Sequence, residues 1–174
     1  MRGIQIRHVR REDMQNFIKS YSKSYENIKE YAYTTRKDMK RYFKWLLHRD
    51  AEGFFVAELC NSAQSSASSA SAIGFIACDA NWFSPFECCV VGEIHELFVV
   101  PEMRGRGVGN ALLQRGLAYF CEKNLHIAEL WVGISNHAQK FYEKAGFKGA
   151  EIVGKWLRMW KCITDCNFYI NKSL

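Results

Sequence analysis

The 174-residue chain contains only two prolines, and no Pro-rich stretch divides it. Without a stiff linker to separate domains, the reading is one domain over residues 1–174. Long apolar runs are missing as well: none approaches the roughly 20 residues needed to cross a bilayer. The opening Met1-Arg2-Gly3-Ile4-Gln5-Ile6 has charge but lacks the apolar core of a secretory signal. A cytoplasmic protein with no membrane partner is therefore expected. The cysteines lack a pairing logic. There are seven, at 60, 78, 88, 89, 121, 162 and 166, and an odd number without a signal argues for reduced thiols. Neither Cys88-Cys89 nor Cys162-x-x-x-Cys166 has zinc-knuckle spacing, so no metal is expected. The 24 Lys and Arg against 18 Asp and Glu leave a formal charge of +6 without any block of five or six basic residues. No nucleic-acid partner is expected on that pattern. Solubility alone, or a field that draws an anionic cofactor, accounts for it.

What is present is a globular composition, 48% hydrophobic and 14% aromatic, rich enough to build a core. Ile4 to Val9 alternates apolar and polar as a strand does. Arg11 to Tyr25 is expected to be a helix. A tyrosine-rich loop follows, and Thr34 to Asp38 supplies capping residues for a second helix. Its apolar positions Met39, Tyr42, Phe43, Leu46 and Leu47 recur at three and four. Gly53–Leu59 and Ala72–Cys78 read as a hairpin around a Ser/Ala-rich loop at 61–72. Further strands are expected at Gly92–Val100, Ala128–Gly133, and near Glu151 to Val153 and Leu157 to Trp160. A long helix starts at Gly107, and a short one at His137–Lys144 is capped by Asn136. The fold class is α/β, a mixed sheet with helices on its faces.

The strongest signal is Arg104-Gly105-Arg106-Gly107-Val108-Gly109, lying between a strand stopped by Pro101 and a helix. Glycines let backbone N–H groups close on an anion, and the helix start adds unpaired donors and a positive dipole end. Arg104 and Arg106 can add charge. The turn fails the dinucleotide pattern, since the sixth residue from Gly105 is Asn110 and from Gly107 is Leu112. No Gly-Lys-Ser/Thr makes a P-loop. The stretch Glu93 to Gly109 resembles strand 4, loop and helix 3 of the GNAT superfamily of acetyl-CoA-dependent N-acetyltransferases. Asn136 with Phe141-Tyr142-Glu143-Lys144-Ala145-Gly146-Phe147 is similar to that family's segment after strand 5. The resemblance implies a central, mostly antiparallel sheet split between strands 4 and 5.

The same resemblance implies a set of roles. Backbone groups of Leu97, Phe98 and Val99 would pair with the pantetheine arm of acetyl-CoA. Residues Arg104, Gly105, Arg106, Gly107, Val108, Gly109 and Asn110 would hold its pyrophosphate, with Asn136 on the other side. Tyr142 matches the tyrosine that acts as the acid in many members. The competing reading of Tyr142 is a core aromatic beside Phe141. For the base, Glu93 ranks first, then His95, then Glu96. Strand alternation puts Glu93, His95, Leu97 and Val99 on one face and Ile94, Glu96 and Phe98 on the other. Cys121 lies inside a helix with no base beside it in sequence, so direct transfer in a ternary complex is expected, not an acetyl-cysteine route. Cys88 and Cys89 read as packing residues. The acceptor is expected to be a small-molecule amine or a protein or peptide N-terminus, and the enzyme a monomer or homodimer. The loop Tyr21 to Tyr33, with Glu26 and Glu30, would border the acceptor. The alternative outside catalysis is a CoA-binding sensor on the same fold.

Overall fold

A computed structural model describes residues 3–60 and 71–163. The Ser/Ala-rich segment at 61–70 and Cys166 lie outside the described residues. The elements run β1 (Gly3–His8), α1 (Met14–Ser24), α2 (Arg36–Arg49), β2 (Phe54–Cys60), β3 (Ser71–Ser84), β4 (Cys89–Val99), α3 (Val108–Glu122), β5 (Ile127–Gly133), α4 (Ala138–Lys144), β6 (Lys148–Val153) and β7 (Trp156–Cys162). The chain divides into two compact units, Met1–Ala77 with Glu96–Leu113, and Cys78–His95 with Gln114–Leu174. Strands β3 and β4 and helix α3 contribute residues to both. The fold is α/β, with seven strands in a mostly antiparallel sheet and one parallel pair, β4 with β5.

In the first unit β1, β2 and β3 join antiparallel in that order, from Gly3↔Cys60 through His8↔Phe55 on one side of β2. The apolar faces of α1 and α2 converge on Phe17, which is fully buried. Its ring meets those of Phe43, Phe54, Phe75 and Phe98 at centroid distances of 5.2, 6.0, 5.3 and 5.4 Å. Four-residue spacing puts Phe17 and Tyr21, and Met39 and Phe43, on the inward stripes of their helices. Thr35 caps α2, its hydroxyl accepting from the Asp38 N–H at 3.1 Å. Arg7 ties β1 to its surroundings by donating to Asp13 at 2.8 Å and Glu58 at 2.5 Å. At Gly74 an added Cβ would stand 2.8 Å from the Phe98 carbonyl oxygen, so glycine is what lets β3 pass the end of β4.

In the second unit the order is β4, β5, β7, β6. β4 and β5 pair from Gly92↔Ala128 to Ile94↔Leu130, and the pairing ends there, although β4 runs on to Val99 and β5 to Gly133. β5 pairs with β7 over its whole length, Ile127↔Cys162 to Gly133↔Trp156. A buried ion network closes this unit. Arg158 donates to Glu129 at 2.7 Å, to Glu151 at 2.8 Å and to Glu87, with the Ser84 hydroxyl on Glu129 at 2.8 Å. The guanidinium stands 4.9 Å over the Phe86 ring.

Three expectations need adjustment. β3 continues six residues past Cys78, the expected end, through Asp79 and Asn81 to Ser84. Helix α1 is preceded by a 3-10 turn at Arg11–Asp13. Cys88 and Cys89 are exposed, not packing residues; Cys88 sits at φ 52, at the tip of the turn between β3 and β4.

Candidate active site

The turn at 104–109 has the geometry an anion needs. Gly105 and Gly107 take φ of +73° and +83°, a region that L side chains avoid. A Cβ at either would meet nothing within 4 Å, so the backbone there is open. Helix α3 begins at Val108, and the carbonyl of Gly107 takes its first helical bond, from the Ala111 N–H. The N–H groups before that bond have no intrahelical partner, and the positive end of the helix dipole lies at them. Arg104 does not simply add charge here. Its guanidinium donates to the carbonyls of Val99 at 3.0 Å and Ser24 at 2.8 Å, pinning the turn to the ends of β4 and α1. Arg106 is exposed.

The three base candidates on β4 meet different surroundings. Glu96 points into the aromatic side of the first unit and is 7% exposed. The Tyr25 hydroxyl donates to its Oε1 at 2.5 Å, and the Tyr42 hydroxyl also bonds it. Burial raises its carboxyl to about 7, held from going higher by those phenols. Burial and then the Glu96 charge push both phenols well up, so they stay protonated as donors. Tyr21 meets Tyr25 at 4.6 Å and Tyr33 meets Tyr42 at 4.8 Å, both tilted, and Tyr42 stacks on Trp45 at 5.9 Å. The rings form a strip from the carboxylate out to Tyr33 and Trp45, which are exposed.

His95 lies in the second unit, where its Nε2 is 3.0 Å from Asp79 Oδ2 and its ring meets Trp82 edge-on at 5.2 Å. Asp79 is fully buried. It is a site neighbour that the sequence reading missed, and a lone acid within the apolar run Ile73 to Phe83 was the available signal. Glu93 stands opposite Glu129 in the parallel register. Burial, then the charges of Glu129 and Asp79, raise its carboxyl well above the usual range, against the pull of Arg158. Glu93 Oε2 has no hydrogen-bond partner among the described residues. A carboxyl in that setting is biased toward its neutral form.

Tyr142 is buried on α4, its ring against Phe141 at 5.1 Å and Phe147 at 5.8 Å. His137, not Asn136, is the cap residue of α4; just ahead of it the Asn136 side-chain oxygen accepts from the Ala138 N–H at 2.9 Å, which leaves its NH2 end to donate. Cys121 is buried, with Sγ 3.8 Å from the Ile163 carbonyl. No group of three or more metal-ligating side chains occurs among the described residues, and no helix there is long and apolar enough to cross a membrane.

Comparison with known proteins bears on the whole arrangement. The profile described as "Acetyltransferase (GNAT) family" matches residues 14–147. An uncharacterized N-acetyltransferase of Archaeoglobus fulgidus is 45% identical over 152 residues, 87% of this chain and 97% of that one. One of Methanocaldococcus jannaschii is 43% identical over 91% of this chain and 66% of its own. The crystal structure of a Pyrococcus horikoshii protein superposes with a TM-score of 0.78 at 35% identity, covering 92% and 98% of the two chains. That of a Thermoplasma acidophilum N-acetyltransferase, in complex with coenzyme A, gives 0.69 at 23% identity over 92% and 99%, a likeness of fold.

Proposed function

We propose, from the premise that the chain belongs to the acetyltransferase (GNAT) family, that this acyltransferase moves an acetyl group from acetyl-coenzyme A to a primary amine in a ternary complex. All of residues 1–174 serve as one acetyltransferase domain in this reading. The observation that carries it is the turn at 104–109, two left-handed glycines open to solvent in front of a helix start. Its N–H groups, from Gly105 to Asn110, suit a pyrophosphate, and the backbone of Leu97, Phe98 and Val99 suits a pantetheine arm. The Asn136 NH2 adds a donor. Acetyl-CoA supplies the activated acetyl thioester.

The chain supplies proton handling. Glu96 is the base: a carboxyl raised to about 7 is ionised in a large fraction near neutral pH and is more basic than an ordinary glutamate toward an ammonium proton. Its setting supports this role over Glu93, which ranked first on sequence and whose ionised form burial and the charges of Glu129 and Asp79 disfavour. Asp79 orients the His95 ring, making His95 a positioning neighbour in this reading. As the C–N bond forms and the C–S bond breaks, the amine proton goes to Glu96 and the Tyr142 phenol gives its proton to the departing sulfur. The buried Cys121 supports direct attack, since a covalent carrier needs an accessible thiol.

The test is an acceptor screen that follows free thiol released from acetyl-CoA, with Tyr142→Phe alongside. A primary amine should release thiol in stoichiometric amount with acetyl-amine. Tyr142→Phe should cut turnover on the order of 10²-fold while acetyl-CoA still raises the melting temperature. If no primary amine, small or peptide, is acetylated by a protein that acetyl-CoA stabilises, the catalytic reading fails and the sensor reading replaces it.

A further inference from the structure

Helix α2 has two sides that the chemistry so far leaves unequal. Its inner side supplies Tyr42 to Glu96. Its solvent side exposes Arg36, Lys37, Lys40, Arg41 and Lys44. Only Asp38 offsets them within the helix, and it is bonded to Arg41 at 2.5 Å. Arg36 is occupied with Gln15. Lys37, Lys40 and Lys44 form no ion pair among the described residues. Spaced at three and four, they share one face over about 10 Å of helix. The loop between α1 and α2 carries Glu26, Lys29 and Glu30, close to balance, so it does not offset the charge of α2.

The aromatic strip joins these two sides. From Glu96 it runs through Tyr42 to Trp45, which is 41% exposed and follows Lys44 in the chain. On the proposed function, an amine delivered to Glu96 would have the rest of its molecule leave toward the exposed Trp45, which neighbours Lys44 and, through it, Lys37 and Lys40. A polycation is disfavoured on that path by like charge, and a small amine does not reach it. An extended peptide does, since each residue spans about 3.5 Å and its third to sixth side chains fall about 10–20 Å from the amino group.

We infer that the acceptor is the amino terminus of a polypeptide carrying acidic side chains at about positions three to six, which dock on Lys37, Lys40 and Lys44. This rests on the proposed function in placing the amine at Glu96; the docking face itself does not.

The experiment uses the full chain and two free-amine hexapeptides with the same first two residues, one with Asp and Glu at positions three to six, the other with Lys. Binding is read by fluorescence anisotropy in the presence of CoA, and turnover by thiol release, with a short monoamine as the common scale. A linear tetra-amine and a single-stranded oligonucleotide complete the set. The acidic peptide should be favoured on the order of 10-fold at low salt. The preference should shrink toward unity in 0.5 M salt, where screening shortens the reach of surface charges to a few ångströms. K37E/K40E/K44E should reverse it, with the acetyl-CoA thermal shift retained as proof of a folded protein. Equal binding of both peptides, or a preference that the triple variant leaves in place, overturns the inference. So does tighter binding of the tetra-amine, or of the oligonucleotide with loss in the triple variant. If the acidic peptide binds as expected but no amine is acetylated, the docking face stands and the catalytic reading alone fails.

Discussion

Glu93 and Glu96 stand three positions apart on β4, and their surroundings separate them. Burial raises both, but Glu93 also faces the charges of Glu129 and Asp79, whereas Glu96 receives two phenol hydrogen bonds that favour its ionised form. The consequence for stability has a definite sign. Below about pH 4.5, the ordinary glutamate value, Glu96 is protonated whether the chain is folded or not. Between there and about 7 the unfolded chain has lost this proton and the native one keeps it, so Glu96 makes stability fall as pH rises, then level off. In Glu96→Gln that share of the fall should vanish. Denaturant titrations at pH 4.5 and 8 should show a pH difference smaller than wild type by up to about 3 kcal/mol. The same variant should lose the limb of the kcat/KM profile that titrates near 7, while His95→Ala keeps it. A limb that survives in Glu96→Gln rules Glu96 out as the base. Residue types on β4 were legible as candidates, because alternation separates Glu96 from Glu93 and His95. Their ranking was not, because it depends on Tyr25 and Tyr42, which are 71 and 54 positions away in the chain.

Elements whose signals are local were read closely. Helix α2 starts where Thr35 and Asp38 cap it and the glycine turn opens α3, whereas the cap of α4 is His137, one residue after the expected Asn136. The end of β3 was placed six residues early: Asp79 and Asn81 are of types that favour turns, so local signals do not carry the strand past Cys78, and their place in the sheet does. At the turn, Gly107→Ala makes a separable test. Its φ of +83° costs a side chain about 1–2 kcal/mol. The added methyl has room in the free protein but would stand where a phosphate approaches. The melting temperature should drop by a few degrees, and the rise caused by acetyl-CoA should disappear. A drop with the full acetyl-CoA shift retained would place the pyrophosphate elsewhere.

Across the whole molecule, the formal charge of +6 looks dispersed in the sequence, with no run of basic residues. The helical period gathers it: residues 36, 37, 40, 41 and 44 are interrupted by Asp38, Met39, Tyr42 and Phe43, yet come to one side of α2. A reading that looks for contiguous blocks misses such a face, whereas the core positions follow the same period and were found. The buried counterpart of that surface charge is Arg158, 2% exposed and bonded to Glu87, Glu129 and Glu151. Arg158→Met should destabilise the fold by about 3–5 kcal/mol in urea titrations, because Glu129 would be left charged in the interior. A loss under 1 kcal/mol would mean that the network relaxes into solvent. One arginine answering to three carboxylates also shapes the paths open to descent. Glu151 is exposed and can be exchanged alone, but Arg158 and Glu129 are locked to each other. Lineages that abandon the pair must change both within few generations or pass through a poorly folded ancestor, so this corner of the protein is expected to change hands rarely and in pairs.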